Sequence, residues 1–276
     1  MRETLAVGLG RRTFALTTTV FAWGFLQNFV VPALPTLRTS LHSNATWTAW
    51  AVSAYILVGC ALTPVLTRMG DQFGKRRVIL WCLAVFTLAS FGAIAAPNVT
   101  VLVVFRAAQG VALVTLPLVY ALVHDEYPAD RQAMTLGLVT AGMGFGAGAG
   151  LVVSGLVLDH LSWRWLFVVA DVLVVVSFAL VALLVPETKR APRTPVDAWG
   201  AILLGGALLL TLTAVTIGPT SGWSSPLVLG LFVAAVPTFV VWGIVESRRR
   251  NPLVSIASLR IRAVLFANLA ALLSGV

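Results

Sequence analysis

The sequence predicts an all-α, polytopic membrane protein, and three observations support this fold class: composition, long apolar segments and the placement of basic residues. Hydrophobic residues make up 59% of the 276 residues, charged residues make up only 11%, and the mean hydropathy is +0.95. Soluble globular domains are about 25% charged. Most of this chain is therefore expected to face lipid rather than water.

Eight apolar segments long enough to cross a bilayer follow one another along the chain, and a ninth begins near Ala263. Each crossing needs roughly 20 mainly apolar residues in a helix. The runs 172–176 and 201–210 do not alternate in polarity as barrel strands do, which favours helices. The approximate spans are 13–34, 50–66, 78–95, 101–123, 133–158, 165–185, 198–217 and 226–245. The first is too long for a signal peptide.

Basic residues predict the orientation, because Lys and Arg stay on the cytoplasmic side during insertion. With a cytoplasmic N-terminus, only Arg38 and Arg164 of the 19 Lys and Arg residues fall on the outer side, and Arg106 lies within a span. The net charge of +9 then follows from topology. A nucleic-acid partner is not needed to explain it.

Several function classes find no support in the sequence. Cys60 and Cys82 lie within spans, without the spacing of a disulfide framework or a metal site. The histidines lie in loops or at helix ends, where a solvated side chain is the common case. There is no nucleophile triad, phosphate loop or dinucleotide fingerprint in a suitable context. We expect no enzyme activity, no cofactor and no metal.

The loop at 67–77 carries an acid, a turn glycine and three consecutive bases. It resembles the signature loop of the major facilitator superfamily, G-x-L-x-D-x-x-G-R-K. Asp71, Gly74, Lys75 and Arg76 match this pattern, whereas Thr67 stands where the family has its first glycine. The resemblance implies a cytoplasmic gating loop. Without it, a basic inner loop with one acid would be explained by topology alone.

Arg106 opens the sequence Arg-Ala-Ala-Gln-Gly within the fourth span. An arginine in apolar surroundings is costly unless it faces a cavity or a partner. The segment is similar to the R-x-x-Q-G pattern of the same superfamily, in which the arginine is associated with proton coupling. Because arginine keeps its proton, its role would be to tune a neighbouring acid or to meet an anionic group. The alternative is that Arg106 snorkels to the outer interface.

The fifth span contains Gly142, Gly146 and Gly150 at four-residue spacing, with Gly155 further on. Such a stripe lets another helix approach closely. It resembles the glycine-rich motif of drug:proton antiporters, which continues G-P-x-x-G-G. Here Leu151 replaces the proline and Ser154 replaces the first of the paired glycines.

Further segments resemble the fourteen-spanner branch of these antiporters, in matching order over nearly the whole chain. They are 50–55, 159–165, 186–188, 197–200, 222–223 and 251–254. The branch carries an acid and an Asn in its first helix, and Leu26 and Val31 occupy those positions here. Gln27 and Asn28 remain as hydrogen-bonding groups, and with Tyr55 and Gln109 they are the candidates for a substrate cavity. The remaining acid within a span is Asp171, which with Arg106 is the candidate for proton coupling.

The resemblance implies a six-helix N-terminal bundle over 1–190, a two-helix insert over 191–250, and a cytoplasmic linker with the incomplete ninth helix over 251–276. It implies proton-coupled efflux of small lipophilic molecules, multidrug or antibiotic export, by alternating access in the inner (plasma) membrane. In this mechanism the substrate crosses between two bundles, of which one is present here. Expected partners are the lipid bilayer, a small lipophilic substrate, protons, and a C-terminal half or a second copy. The alternative is a non-transporting truncated or regulatory membrane protein that pairs with another subunit. A membrane-embedded enzyme is disfavoured because no catalytic group of residues is found.

Overall fold

The computed structural model describes residues 2–188, 198–248, 261, 264–266 and 269–270, and within these ranges it contains helices and no strand. Eight helical segments are long and apolar enough to cross a membrane, so the predicted all-α polytopic fold class is confirmed. The α-helices are α1 (Arg2–Asn28), α2 (Leu34–Ser40), α3 (Ala45–Phe73), α4 (Lys75–Ile94), α5 (Val99–Gln109), α6 (Thr115–Glu126), α7 (Ala129–His160), α8 (Arg164–Leu184), α9 (Ala198–Ser221) and α10 (Pro226–Ser247).

The chain divides into two compact units, Met1–Arg193 and Thr194–Val276. The predicted boundary at 190 lies outside the described residues. The same holds for the segment 251–254 and for most of the linker and the predicted ninth helix.

Two spans are interrupted by short 3-10 segments that the sequence does not predict. Such a segment, Val31–Ala33, joins α1 to α2, and another, Gly110–Val114, separates α5 from α6. At the second break Pro117 has no N–H to donate to the Leu113 carbonyl. The Trp23 indole Nε1 donates to that carbonyl instead, at 3.1 Å. The break therefore follows from a missing backbone donor and a side chain on another helix.

In the first unit α1 packs along α7 and α8, α3 packs on α5, and α4 packs on α8 and α5. The ring of Phe29, the residue that follows α1, packs against α8, with its centroid 5.4 Å from that of Phe167 in an edge-to-face arrangement. Large apolar side chains such as Leu88 and Leu183 are 70% and 81% exposed on the outside of this unit. Exposed apolar side chains of this kind are suited to contact with lipid.

In the second unit α9 and α10 pack against each other. Gly222 lies between them with φ of +85°, a left-handed conformation that glycine adopts without steric cost. The Trp223 ring covers Gly218 of α9, where a Cβ would collide with it.

We call the end of the first unit where α3 meets α4 the basic end, and the end where α4 meets α5 the far end. At the far end Arg164, the first residue of α8, donates from Nε to the Ile94 carbonyl at 2.9 Å and from Nη2 to the Ala96 carbonyl at 3.1 Å. At the basic end Arg76 donates from Nη2 to the Ala182 carbonyl at 2.5 Å. Each helix thus supplies an arginine that binds the unsatisfied carbonyls at the C-terminus of the other. The two contacts fix the register of α8 against α4.

Replacing Arg164 with alanine should lower the free energy of unfolding by about 2 kcal/mol, because charge-assisted hydrogen bonds to two helix-end carbonyls are lost. This corresponds to a fall in melting temperature of about 5 °C for a protein of this size. Thermal unfolding of the detergent-solubilised protein, followed by tryptophan fluorescence, measures it. Arg38→Ala is the matched control, since Arg38 is exposed. Equal melting temperatures for the two variants would contradict the capping role of Arg164.

Candidate functional site

Arg106 lies in the last turn of α5 and is only 1% exposed. Its Nε donates to the Ala51 carbonyl of α3 at 2.8 Å, and its Nη1 donates to Gln109 Oε1 at 2.8 Å. The guanidinium carbon lies 4.4 Å from the ring centroid of Tyr55 and 5.3 Å from that of Phe29, distances at which a cation is attracted to a ring face. The side chain points into the bundle and does not snorkel to an interface.

No carboxylate forms an ion pair with Arg106 within the described ranges. Its charge is instead stabilised by oxygen acceptors and aromatic rings. A buried cation without a counter-ion is costly. Arg106 is therefore a site where the binding or ionisation of another group would have a large electrostatic effect.

Gln109 extends the contacts of Arg106 towards α4. It lies three residues after Arg106, on the same helix face, and its Nε2 donates to Ser90 Oγ at 2.8 Å. Ser90 in turn donates to the Phe86 carbonyl at 3.0 Å. Both side chains are fully buried. A substrate would reach Gln109 only after a rearrangement of the bundle.

Asp171 lies on α8, opposite the α4 segment that carries Ser90. Helix α4 packs on α8, and its hydroxyl groups Thr87 and Ser90 are the neutral side chains that interact with the Asp171 carboxyl group; Asp171 is 8% exposed. Its Oδ1 has no hydrogen-bond partner in the part of the chain that the structure describes. The structure thus places both proton-coupling candidates in one set of buried side chains, which we call the polar network: Arg106, Gln109, Ser90 and Asp171.

The other cavity candidates lie on α1 and α3. Gln27 and Asn28 are partly exposed in the last turn of α1, just before the first 3-10 segment. Tyr55 is fully buried over Arg106, and its hydroxyl has no hydrogen-bond partner among the described groups. Leu26, which takes the position of an acid in the resembling proteins, is 1% exposed. The structure brings Tyr55 and Gln109 together around Arg106 and leaves Gln27 and Asn28 at the helix end.

The signature loop at the basic end is built around the ammonium group of Lys75, whose side chain is 8% exposed. Its Nζ lies 3.1 Å from Asp71 Oδ1 and 2.6 Å from Asp125 Oδ2 of α6. A nearly buried cation needs such partners. Asp71 belongs to the signature pattern found in the sequence, whereas no sequence pattern indicates Asp125.

The segment after α8 completes the same end. Lys75, the first residue of α4, donates its backbone N–H to Thr188 Oγ1 at 2.9 Å, which satisfies one of the free donors of the helix start. Gly74 joins α3 to α4 with φ of +103°, and a Cβ there would collide with the Glu187 carboxylate. Glu187 also pairs with Arg77 at 3.1 Å. Only glycine meets both the conformation and the space.

The glycine stripe of α7 faces α1. Cβ atoms on Gly142, Gly146 and Gly150 would press on the backbone carbonyls of α1 at Thr17, Phe21 and Phe25. One turn further, Ser154 donates to the Phe29 carbonyl at 2.7 Å. Ser154, which replaces a glycine of the motif, thus extends the contact between α7 and the α1 segment by a hydrogen bond.

Gly155 lies on another face of α7, where nothing in the described structure comes within 4 Å of a Cβ, and the same is true of Gly144 and Gly148. Of the four predicted glycines, Gly142, Gly146 and Gly150 therefore contact α1, and Gly155 does not.

Comparison with known proteins identifies the family. The family model described as Major Facilitator Superfamily matches residues 16–276. The chain belongs to the major facilitator superfamily. This is a superfamily of membrane transporters rather than of enzymes, and the chain is a multi-pass membrane protein of this type.

Several curated relatives of this superfamily member come from Mycobacterium and Streptomyces species. It is 33% identical to the uncharacterized MFS-type transporter EfpA of Mycobacterium tuberculosis, over 89% of this chain and 46% of that protein. It is 34% identical to the puromycin resistance protein pur8 of Streptomyces alboniger, over 80% and 44%. It is 28% identical to the tetracenomycin C resistance and export protein of Streptomyces glaucescens, over 93% and 46%. The chain spans about half the length of these relatives.

Among solved structures, the human organic anion transporter MFSD10 superposes with a TM-score of 0.60 at 15% identity, covering 88% of this chain and 73% of that one. This likeness concerns the fold.

Among the described side chains, no group of three His, Cys, Asp or Glu residues that could hold a metal ion is assembled.

Sequence reasoning missed Ser90, Thr87, Asp125 and the capping role of Thr188. Serine and threonine within an apolar span are common, and Asp125 sits at a helix end where acids are ordinary. Their roles depend on which helices pack together, which the periodicity of one span does not show.

Proposed function

We propose that this chain is the N-terminal part of a proton-coupled exporter of small lipophilic molecules, of the fourteen-spanner branch of the superfamily. In this proposal it lies in the inner (plasma) membrane with its N-terminus in the cytoplasm and works by alternating access. The observation that carries the proposal is the polar network, in which a buried arginine that has no acidic partner among the described side chains is connected to a buried carboxyl group through neutral side chains. The names of the relatives, resistance and export proteins for tetracenomycin C and puromycin, support the substrate class.

In the proposed cycle Asp171 exchanges a proton for the substrate. Asp171 is a buried carboxyl group beside two hydroxyl groups, and its Oδ1 has no hydrogen-bond partner among the described groups; such a group can take up and release a proton when its surroundings change. A lipophilic substrate that enters beside Tyr55 changes the solvation of Arg106, and through it the ionisation of Asp171. Gln27 and Asn28 supply hydrogen bonds at the mouth of the cavity. Substrate binding and proton release are thereby linked.

The basic end supplies the gate. The Lys75 contacts with Asp71 and Asp125 hold α3, α4 and α6 together at that end. In alternating access the second bundle, from a C-terminal half or a second copy, closes against this surface and opens from it. Opening and closing then require the nearly buried Lys75 to exchange its partners or to gain solvent, so these ion pairs contribute to the barrier between the two states.

Inverted membrane vesicles carrying the chain, loaded with a fluorescent lipophilic dye in the presence of a pH gradient, test the proposal. We expect dye accumulation that collapses with the gradient and is lost in Arg106→Ala, while Arg38→Ala behaves as the unmodified chain. Membrane insertion of every variant is checked by immunoblot. Accumulation equal to that of empty vesicles, with the chain inserted and several dyes tried, would contradict export by this chain and favour a non-transporting partner subunit.

A further inference from the structure

The two charged members of the polar network do not touch. Two neutral side chains lie between them: Gln109 binds Arg106 with its oxygen and Ser90 with its nitrogen, and Ser90 lies next to Asp171. We propose that Ser90 and Gln109 are positioning residues that transmit the protonation state of Asp171 to the Arg106 guanidinium. This inference rests on the proposed role of Asp171 in proton exchange, and it assigns a function to Ser90 that no sequence pattern indicates.

The orientation of Gln109 follows from its neighbours. A guanidinium group is a donor only, so the amide oxygen of Gln109 must face Arg106, and its NH₂ group must point to Ser90. The Ser90 oxygen then accepts this hydrogen bond and has a single hydrogen of its own to donate. In the structure that hydrogen goes to the Phe86 carbonyl at 3.0 Å.

Because Ser90 has a single hydrogen to donate, two hydrogen-bond arrangements are possible, one for each protonation state of Asp171. An ionised Asp171 is an acceptor only, and it attracts the Ser90 hydrogen away from the Phe86 carbonyl. A protonated Asp171 is itself a donor to the hydroxyl oxygens of Thr87 or Ser90, and the Ser90 hydrogen stays on Phe86. A change in one hydrogen bond of such a chain polarises the next. The strength of the Gln109 contact, and hence of the Arg106 contact, therefore depends on the proton of Asp171.

A displacement of Arg106 affects its contacts with other helices. Its Nε is held by the Ala51 carbonyl of α3, and its guanidinium carbon lies over the rings of Tyr55 of α3 and of Phe29, the residue that follows α1. A shift of the guanidinium alters the contacts of both helices at the candidate substrate cavity. The register of α8 on α4, which places Asp171 beside Ser90, is fixed by the arginine caps at both ends of the pair.

No other charged side chain offers a competing route within the described part of the first unit. Helix α8 packs against α4, α1 and α7. The other titratable and charged groups described on these helices lie in their terminal turns, apart from Arg11 and Arg12 about ten residues into α1 and the buried thiol of Cys82 on α4. Arg164 of α8 itself is engaged with the Ile94 and Ala96 carbonyls. The groups on the basic-end side are Arg11, Arg12, Lys75, Arg76, Arg77, Asp130 and Arg131, and those at the far end are Asp159 and His160.

Infrared difference spectroscopy of the purified chain in nanodiscs, between alkaline and acidic pH, tests this coupling without requiring transport. The chain is labelled with guanidino-¹³C,¹⁵N-arginine. The carboxyl band that disappears in Asp171→Asn reports the proton on Asp171, and the arginine band that disappears in Arg106→Lys reports the guanidinium. We expect the arginine band to shift with the same midpoint pH as the carboxyl band.

The variants Ser90→Ala and Gln109→Leu should keep the Asp171 carboxyl band and lose the shift of the arginine band. Ser177→Ala is the matched control, because Ser177 is a buried serine of α8 that donates only to its own helix, at the Leu173 carbonyl; it should keep both signals. An arginine shift of full size in both variants would overturn the relay and leave the proton exchange at Asp171 standing. If Asp171→Asn leaves the carboxyl region of the infrared spectrum unchanged, both the relay and the proton exchange at Asp171 are overturned. Dye export is tested separately in vesicles.

Discussion

Replacing Gly146 with leucine should destabilise the first unit strongly, with a larger loss of stability than the Arg164→Ala change. A Cβ at this position would collide with the backbone of Phe21, and a backbone carbonyl has no rotamer by which to move aside. The helices α1 and α7 must then separate along their whole contact, which also contains Gly142, Gly150 and Gly24. Overpacking of a buried site costs about 3 kcal/mol, which corresponds to a fall in melting temperature of about 10 °C.

The matched control for this change is Gly148→Leu, two residues further along the same helix. Gly148 is exposed and a Cβ there meets nothing within 4 Å in the described structure. This variant should change the free energy of unfolding by less than about 0.5 kcal/mol. Thermal unfolding and size-exclusion chromatography of both detergent-solubilised variants measure the difference. If the two variants were equally stable, α7 would not pack on α1 through its glycine stripe.

The change Asp171→Asn should abolish accumulation driven by a pH gradient while leaving downhill equilibration of the dye. Asparagine is nearly the same size and resembles the protonated acid, so it keeps the packing of α8 but has no proton to exchange. Dye fluorescence in inverted vesicles, recorded over a series of external pH values, measures the effect. Asp159→Asn is the control, because Asp159 is an exposed acid at the far end of α7. A pH profile of Asp171→Asn that matches the unmodified chain would exclude Asp171 from proton exchange.

The sequence was sufficient to predict the eight spans, because each depends on a run of apolar residues that can be counted along the chain. It was also sufficient to single out Arg106, since a charge in such a run is conspicuous. The interruption of the fourth span was not predictable in this way. Pro117 is visible in the sequence, but the 3-10 segment also depends on Trp23 of a distant helix reaching the Leu113 carbonyl.

The partners of the candidate residues required the structure. Whether Arg106 snorkels or points inward depends on the packing of α3 and α1 around it. The one-turn spacing predicts that Gln109 lies near Arg106, but it does not predict the contact of Gln109 with Ser90. Ser90 has the same helical context as many packing serines, and only the register of α4 against α5 and α8 shows that it lies between Gln109 and Asp171. The arginine caps that set this register join residues about 70 and 106 positions apart, beyond any local pattern.

In the proposed cycle substrate binding is linked to the proton of Asp171, and proton release on binding is the direct measure of this link. Purified chain in weakly buffered detergent solution, at a pH where Asp171 is protonated, is mixed with a lipophilic dye that binds it, and a pH indicator records the protons set free. We expect release that saturates with dye binding, is absent in Asp171→Asn and is retained in Asp159→Asn. Saturable dye binding without any release of protons, across the accessible pH range, would contradict the link.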